Sequence, residues 1–484
     1  SVVKTSTGTL TFNKSDNASS AMATVFTVKG TVNADTVYGG YQGDTITGNG
    51  GADRLYGEEG ADTITGGAGA DSISGGAGAD NLTAAGGADT ILGGAGNDTI
   101  SAGDGVDLVT GGAGKDTITL GAGADTYIAA AITDSAGANY DVITDFVSAS
   151  DNIRVTHTFT AATTFAATDR GNTASDGTLP GIMAGAIGDA AFITDGSAIA
   201  IDFTGDGIVN ANDFKVSITG ATDLVLSDLD FYLTGANATN SFKTSGGNDV
   251  IVGGTGVDTI YTYAGNDTIT GGAGNDVIWA GAGNDTITIA GGTETVVIQA
   301  GNGTDSIIGA TAGTDVLQFS WDDTTPSTAS GANAVVGEID TDAVANGAAY
   351  DFTANTGSVS TSTIDIANLD VADTPNTANA NLHDDVSTGG AAALFVAMAS
   401  ANQNEGIGSI TVTTAGDKFY ISAYDDGTQS MYIYHANSAA VISDTSITVN
   451  EVTLVAVVDG VADDALAAGA TYKMIDLTTY DAAY

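Results

Sequence analysis

The sequence predicts a mainly β protein with two parallel β-roll segments, separated and followed by β-rich domains with little helix. Three observations predict this fold. Asp recurs every nine residues from Asp35 to Asp125 and again from Asp249 to Asp285. An apolar residue stands two places after each of these Asp residues, and glycines cluster in the places before it. Tandem nine-residue units of this kind are typical of parallel β-coils built from short strands and tight turns.

The complete unit has the form Gly-Gly-x-Gly-x-Asp-x-U-x, where U is apolar, and residues 66–74 are one copy. Side chains alternate along a strand, so we expect a three-residue strand whose U residue points inward and whose Thr or Ser neighbours point outward. We expect the glycines at the first, second and fourth places to adopt positive φ. Two units should make one coil, which stacks each Asp on the Asp eighteen residues away.

The negative charge of the chain is carried almost wholly by Asp. The formal net charge is −48, from 59 acidic and 11 basic residues, and only six of the acidic residues are Glu. A short Asp carboxylate can reach the turn that carries it, which indicates bound cations rather than solubility alone. The scarcity of Lys and Arg argues against nucleic-acid binding, and no apolar run reaches the ~18 residues of a membrane helix.

A cation between stacked coils would be held by carboxylates and turn carbonyls, the all-oxygen shell that calcium prefers. Pairing carboxylates eighteen residues apart predicts roughly a dozen or more calcium ions. The predicted ligands in the two blocks are Asp35, Asp44, Asp53, Asp62, Asp71, Asp80, Asp89, Asp98, Asp107, Asp116, Asp125, Asp249, Asp258, Asp267, Asp276, Asp285 and Glu294.

The two edges of each roll differ at the first place of the unit. One edge has Gly-Gly pairs, whereas later units on the other edge begin with Ala84, Ala102, Leu120, Thr244, Thr262 or Ala280. One interpretation is a modified edge whose turns do not require positive φ and which packs on a neighbouring domain. The alternative is neutral drift.

These blocks resemble the RTX (repeats-in-toxin) β-roll of bacterial proteins exported by type I secretion. The segments after each block, such as Asp141–Phe146 and Asp305–Ile308, are similar to that family's block endings. The resemblance covers roughly residues 30–155 and 244–319. The composition of the chain is most like that of RTX-type surface-layer (S-layer) proteins. It implies calcium-loaded rolls in a secreted, extracellular protein at the cell surface.

Five segments are predicted. Residues 1–29 form an N-terminal β segment or linker, 30–155 the first roll with its closing segment, and 156–243 an inserted domain. Residues 244–319 form the second roll with its closing segment. Residues 320–484 form a β-rich C-terminal domain, with a hairpin across 418–435 and, by resemblance, an export signal.

The inserted domain contains a further candidate calcium loop at 202–213, which resembles the loops of EF-hands and dockerin modules. Its predicted ligands are Asp202, Thr204, Asp206, Ile208 (through its carbonyl), Asn210 and Asp213, with Gly207 at the sixth place. Thr204 at the third place and Asp213 at the twelfth depart from the EF-hand pattern. The alternative is a plain Asx-rich turn.

No catalytic constellation is found in the sequence, and we predict that the chain is not an enzyme. His157, His383 and His435 are far apart, and the zinc motif H-E-x-x-H, the nucleophile elbow G-x-S-x-G and cysteine are all absent. The abundant carboxylates are explained as calcium ligands.

Two non-enzymatic functions follow. The first is a structural subunit of a calcium-dependent surface layer, which assembles with other copies of itself in a two-dimensional lattice. The second is a calcium-stiffened adhesin or extracellular matrix protein. We expect an anchor to cell-surface glycan or lipopolysaccharide through a part outside this chain, with no nucleic acid and no membrane span. Tyr38 with Tyr56, and Tyr261 with Trp279, are eighteen residues apart and are predicted to form exposed aromatic ladders.

Overall fold

A computed structural model describes the repeat blocks in full and parts of the remaining chain. The described residues are 2–3, 11–12, 25–129, 140–148, 150–161, 163–167, 189–193, 198–203, 214–219, 226–299, 303–310, 315–320, 350–351, 366–369, 410–411, 418–425, 430–437 and 452–459. They fall into two compact units. Unit 1 comprises Ser1–Phe159, Thr163–Thr234 and Lys243–Gly247, and unit 2 comprises Thr160–Ala162, Gly235–Phe242 and Asn248–Tyr484.

The described structure is almost entirely β. The first strands are β1 (Val2–Val3), β2 (Thr11–Phe12), β3 (Thr27–Lys29), β4 (Thr36–Gly40), β5 (Thr45–Gly50), β6 (Arg54–Glu59), β7 (Thr63–Ala68), β8 (Ser72–Ala77), β9 (Asn81–Gly86), β10 (Thr90–Ala95), β11 (Thr99–Gly105), β12 (Leu108–Ala113), β13 (Thr117–Gly123), β14 (Thr126–Ala129), β15 (Asp141–Ile143), β16 (Asn152–Thr158), β17 (Thr164–Ala166), β18 (Asp189–Ile193), β19 (Ala198–Asp202), β20 (Phe214–Ile218) and β21 (Leu229–Thr234). The later strands are β22 (Ser241–Lys243), β23 (Val250–Gly254), β24 (Thr259–Tyr261), β25 (Thr268–Gly272), β26 (Val277–Trp279), β27 (Thr286–Thr288), β28 (Thr295–Gln299), β29 (Asp305–Ile308), β30 (Val316–Ser320), β31 (Tyr350–Asp351), β32 (Ile366–Leu369), β33 (Ile410–Thr411), β34 (Lys418–Asp425), β35 (Ser430–Asn437) and β36 (Val452–Asp459).

Helix is limited, within the described ranges, to one 3-10 turn at Leu226–Asp228. None of the described residues belongs to a helix long and apolar enough to span a membrane. The predicted fold class, mainly β with two parallel roll segments and little helix, is confirmed.

The first roll consists of two parallel sheets whose strands alternate along the chain. Sheet one contains β3, β5, β7, β9, β11, β13 and β15, and sheet two contains β4, β6, β8, β10, β12, β14 and β16. Within each sheet, a residue of the repeat pairs with the residue eighteen places on, as Ile46 pairs with Ile64. The prediction that two nine-residue units make one coil is therefore confirmed.

The interior of the first roll is a column of apolar side chains from each sheet. Ile64, Leu82 and Ile100 from sheet one are almost fully buried, as are Leu55 and Ile73 from sheet two. Full burial of a side chain of this size stabilises the fold by about 1.5–3 kcal/mol. The repeated U place of the sequence thus builds a continuous part of the core of the roll.

The strands are longer than predicted, and this changes the role of the first place of the unit. Most strands of the first roll have six residues, from the place after Asp to the third place of the next unit, with burial alternating as in β7. The first place consequently points inward next to U. The expectation of positive φ at this place was wrong, because positive φ occurs at the second and fourth places, as at Gly67 and Gly69, and not at Gly66.

The residues that replace glycine at the first place are therefore core residues. Ala84, Ala102 and Leu120 are fully buried, as is Thr262 in the second roll. Turn conformation is retained beside them, because Ala85 at the second place still has φ of 86°. The modified-edge interpretation correctly expected no positive φ at these first-place residues, but first-place glycines such as Gly66 share this conformation. The side chains at the first place fill the interior of the roll.

Later strands extend the sheets of unit 1. β20 pairs in parallel with β15, and β21 pairs in parallel with β16. β19 and β18 then add to β20 in antiparallel orientation, which completes an eleven-stranded sheet that begins at β1. The boundaries of the predicted inserted domain remain a prediction.

Unit 2 repeats the roll pattern. β23, β25, β27 and β29 form one parallel sheet, and β24, β26, β28 and β30 form another. β36 pairs in parallel with β29 and in antiparallel orientation with β35. The predicted hairpin is confirmed by the antiparallel pairing of β34 with β35.

The inward direction of the first place predicts that Gly75→Ala is destabilising. A Cβ at Gly75 would lie 2.5 Å from the carbonyl oxygen of Gly93 and would overlap Oδ2 of Asp80. Such overpacking costs about 1–3 kcal/mol. Urea unfolding of the calcium-loaded protein measures this loss.

Gly86→Ala is the matched control. A Cβ there has only the carbonyl oxygen of Asp104 nearby, at 3.9 Å, and Gly86 does not have positive φ. We expect this variant to match or exceed the native stability, because alanine restricts the unfolded chain. Equal stability of the two variants would contradict the inward placement.

Candidate calcium sites

The repeat carboxylates lie in buried rows along the edges of the rolls. Four rows are defined by the eighteen-residue spacing. Row A is Asp35, Asp53, Asp71, Asp89, Asp107 and Asp125; row B is Asp44, Asp62, Asp80, Asp98 and Asp116; row C is Asp249, Asp267 and Asp285; row D is Asp258, Asp276 and Glu294. All of these residues are at most 3% exposed. The structure therefore places every repeat ligand predicted from the sequence in one of four columns.

One carboxylate oxygen of each typical row member is fixed by the preceding coil. The backbone N–H of Asp35 donates to Oδ1 of Asp53 at 2.7 Å, and the N–H of Asp249 donates to Oδ1 of Asp267 at 2.8 Å. This bond locks the side chain into the turn and links consecutive coils. It also makes each Asp both a donor and an acceptor in its row.

The second carboxylate oxygen is buried and lacks a hydrogen-bond donor among the described residues. This is so for Oδ2 of Asp53, Asp62, Asp71, Asp80, Asp89, Asp98, Asp107, Asp125, Asp258, Asp276 and Asp285, and for Oε1 of Glu294. Burying a charged oxygen without a partner is unfavourable by several kcal/mol. A whole column of such oxygens requires either protons or cations.

Glycines at the first place of the unit lie close to both a carbonyl oxygen and one of these carboxylate oxygens. A Cβ added at Gly75 would lie 2.5 Å from the carbonyl oxygen of Gly93 and would contact Oδ2 of Asp80. A Cβ added at Gly93 would lie 2.6 Å from Oδ2 of Asp98 and would contact the carbonyl oxygen of Gly111. Carboxylate and carbonyl oxygens that converge without an intervening hydrogen suit a hard cation.

The donor set favours calcium over metals that bind through side chains alone. Within the described ranges, no group of three His, Cys, Asp or Glu side chains converges as a metal site. Turn carbonyls that lie beside the carboxylates can contribute further oxygens to a cation's shell. Calcium accepts such mixed oxygen shells and tolerates irregular geometry, whereas magnesium demands a near-ideal octahedron.

Without a cation, burial raises the pKa of most of the repeat carboxyls. Burial is the largest cause for Asp62 and Asp98, and with negative neighbours one coil away it raises the pKa of each to about 7, from an ordinary value of 3.8. The pKa values of Asp71 and Asp258 are raised to about 6, again mainly by burial. The backbone hydrogen bond to each carboxylate lowers its pKa but does not offset burial.

Sequence reasoning missed several carboxylates that continue the rows. Asp141 follows Asp116, whose N–H donates to Oδ1 of Asp141 at 2.9 Å, and Asp151 follows Asp125 in the same way at 3.2 Å. Asp305 follows Asp285 at 3.2 Å. Their spacings are longer than eighteen residues, so the period does not reveal them, although Asp141 and Asp305 lie in the block endings already recognised.

The candidate loop at 202–213 is mostly outside the described residues. The predicted ligands outside the described residues are Thr204, Asp206, Ile208, Asn210 and Asp213. The backbone of Asp202 is described and ends β19. The calcium site at this loop therefore remains a prediction.

Comparison with known families agrees with this geometry. The model of the RTX calcium-binding nonapeptide repeat (four copies) matches residues 29–64, 56–91, 92–127, 234–269 and 252–287. The two blocks are RTX calcium-binding repeats. The matched segments cover less than half of the chain, and no curated protein sequence matches it. The second RTX segment begins ten residues before the predicted boundary at 244, so it includes the unit that contains Asn240.

The raised pKa values predict that protonation of the repeat carboxyls partly replaces calcium in stabilising the folded RTX rolls. The folded carboxyls titrate near pH 6 to 7, but the same groups titrate near 3.8 when unfolded, so the folded state binds more protons between these values. This stabilisation is complete below about pH 3.8 and is lost as the pH rises through 6 to 7.

We therefore expect the β signal in circular dichroism, measured in excess chelator, to grow as the pH falls from about 8 to about 5. Calcium affinity should fall over the same range, because protons compete for the carboxylates. Loss of β signal on acidification in chelator would contradict the assignment of buried, protonatable carboxyls to the turns.

Proposed function

We propose that the chain is a structural subunit of a calcium-dependent extracellular surface layer. The observation that carries the proposal is that the acidic groups of the rolls are buried in rows along the turns of long sheets with regular faces. In sheet one the outward place after U is occupied in succession by Thr47, Thr65, Thr83, Ser101 and Thr119. A repeating polar face of this kind suits periodic contacts between identical subunits.

We assign the repeat carboxylates of rows A to D, with turn carbonyls from adjacent coils, as the calcium ligands. Calcium supplies positive charge to oxygens that the fold buries together, and it links consecutive coils. Roughly a dozen ions would cancel about half of the net charge of −48. Binding to the folded state alone makes calcium a folding ligand, so stability depends on its concentration.

A non-enzymatic role is consistent with the surroundings of the described histidine side chain. His157 stacks on Phe203 and meets the edge of Phe159, with both ring centroids at 4.5 Å. Burial lowers the pKa of His157, which favours the neutral imidazole. This contact with apolar rings supports a structural role for the half-buried His157.

The location follows from the same proposal. RTX repeat proteins are typically secreted, and export by type I secretion into a calcium-rich medium would let the rolls fold outside the cell. The export signal is assigned to residues 320–484. Other copies of the chain and cell-surface glycan or lipopolysaccharide are the proposed partners.

The two aromatic ladders are the proposed contact points of the lattice. Tyr38 and Tyr56 stack with ring centroids 4.7 Å apart and planes within 9°, and Tyr261 and Trp279 are 5.8 Å apart at 43°. All four side chains are half-buried rather than fully exposed as predicted. Aromatic rings are enriched at interface centres, so we expect them to be covered by a second subunit.

Surface-layer function predicts that purified protein in millimolar calcium forms ordered two-dimensional sheets, observed by electron microscopy. The double variant Tyr261→Ser with Trp279→Ser should keep its calcium-induced folding, because ladder contacts contribute only about 0.2–1 kcal/mol per pair. It should nevertheless form sheets only at much higher protein concentration, if at all.

Tyr41→Ser is the control, since Tyr41 is an exposed turn residue outside the ladders. Absence of sheets from the native protein under all calcium concentrations would reject the surface-layer proposal. Normal sheets from the double variant would place the lattice contacts elsewhere.

The loop at 202–213 is tested separately by Asp206→Ala. Loss of the carboxylate at the fifth place of the loop should lower the calcium count by about one ion while both rolls stay folded. Native mass spectrometry measures the count, and Asp104→Ala, which removes an exposed carboxylate from a turn of the first roll, is the control. An unchanged count for Asp206→Ala would favour the plain Asx-rich turn.

A further inference from the structure

Asn240 lies one coil before Asp258, the first residue of row D, at a position where the eighteen-residue spacing calls for a carboxylate. It lies eighteen residues before Asp258, and its backbone N–H donates to Oδ1 of Asp258 at 2.7 Å, as in every typical pair of the rows. The side chain is 2% exposed. Asn240 thus occupies the sixth place of the first matched unit of the second roll, with an amide in place of the carboxylate.

The amide nitrogen of Asn240 is surrounded by oxygen acceptors. Nδ2 lies 2.7 Å from the carbonyl oxygen of Ala238, 3.2 Å from that of Ala236 and 2.9 Å from that of Gly253. It also lies 2.9 Å from Oδ1 of Asp258. Four acceptors around one atom favour the amide nitrogen over the amide oxygen at this position, and Oδ1 of Asn240 is buried without a hydrogen-bond donor among the described residues.

The atom that corresponds to this nitrogen in an aspartate turn is the carboxylate oxygen that lacks a donor. A Cβ added at Gly235 would lie 2.6 Å from Nδ2 of Asn240 and would contact the carbonyl oxygen of Gly253. A Cβ added at Gly253 would lie 2.6 Å from Oδ2 of Asp258 and would contact the carbonyl oxygen of Gly271. The two turns have the same construction, except that one atom carries hydrogens and the other carries negative charge.

We propose that Asn240 closes the first turn of the second RTX roll without calcium. Its amide nitrogen donates hydrogen bonds among the surrounding turn carbonyls and the Asp258 carboxylate, where calcium would bridge the oxygens of an aspartate turn. The Asn240 turn is a built-in, metal-free cap. When calcium is scarce, it keeps one edge of the second roll in the conformation on which the next coil is added.

Other terminal turns follow the same rule with different donors. In the first roll, Oδ2 of Asp35 accepts the N–H of Thr31 at 2.5 Å, at the start of row A. At the other end of that row, Oδ2 of Asp151 accepts the N–H of Val147 at 2.9 Å. Hydrogens from the chain thus close these ends, whereas the interior carboxylates of the rows depend on calcium.

The end of row B is also closed by a hydrogen from the chain. Oδ2 of Asp141 accepts the hydroxyl hydrogen of Tyr127 at 2.6 Å. Tyr127 is the last U residue of the first block, and its ring is fully buried. A tyrosine there completes the core and supplies a donor, which none of the Ile, Leu or Val residues at the other U places can do.

Asn240→Asp tests the proposal by exchanging the amide for a carboxylate of the same shape. The variant should bind one calcium ion more than the native chain at saturation, measured by native mass spectrometry. The calcium concentration needed to refold it, followed by circular dichroism, should rise. Asn266→Asp is the control, because it adds the same charge at an exposed place of the roll; its calcium count should equal that of the native chain.

Asp276→Asn makes the reverse exchange in the interior of row D. It should remain folded with at least one calcium ion fewer, whereas Asp276→Ala should lose the same calcium and also stability, because alanine cannot donate to the turn carbonyls. The proposal is overturned if Asn240→Asp has no more calcium than Asn266→Asp or stays unfolded at saturating calcium. It is also overturned if Asp276→Asn is as unstable as Asp276→Ala. These measurements use single chains in solution and are independent of sheet assembly.

Discussion

The fold depends on the contact between a buried carboxylate oxygen and the turn carbonyls around it. The coil spacing of a parallel sheet fixes the distance between successive Asp side chains, and the backbone N–H of the preceding coil fixes one oxygen of each. The other oxygen is thereby forced against acceptors. Every coil repeats the same electrostatic problem, so a single kind of ligand, a hard cation with an oxygen shell, solves it along the whole row.

This constraint links the Asp-rich composition of the chain, the stability of its rolls and the pKa values of their carboxyls. Asp, with its short side chain, reaches the turn, and the chain has few Lys or Arg residues that could neutralise it from within. The raised pKa values of Asp62 and Asp98 have the same origin as the calcium requirement, because burial penalises the charged form in both cases. The proposal of calcium-dependent folding outside the cell rests on this shared origin.

Asn240 and Tyr127 show how the ends of the rows differ from their interiors. An interior Asp has a stacked Asp on both sides, so no chain donor can be placed there without breaking the repeat. At an end the repeat no longer constrains the sequence, and an amide, a hydroxyl or a backbone N–H can serve instead. The row ends at Asp35, Asp151, Asp141 and Asn240 are therefore closed by hydrogen bonds within the chain.

The sequence by itself determined the roll architecture, the eighteen-residue register, the U core and the repeat Asp positions, because each depends on a local period that is repeated many times. Tertiary structure decided the features that depend on contacts across coils. The first place of the unit points inward because the strands extend past U, and Leu120 is therefore a core residue. The strands extend this far because they pair with the strands of neighbouring coils. The participation of Asp141, Asp151 and Asn240 in the rows likewise followed from stacking, since their spacing or residue type breaks the pattern. A period reports what every coil shares; only the assembled coils show which atoms meet where the period ends.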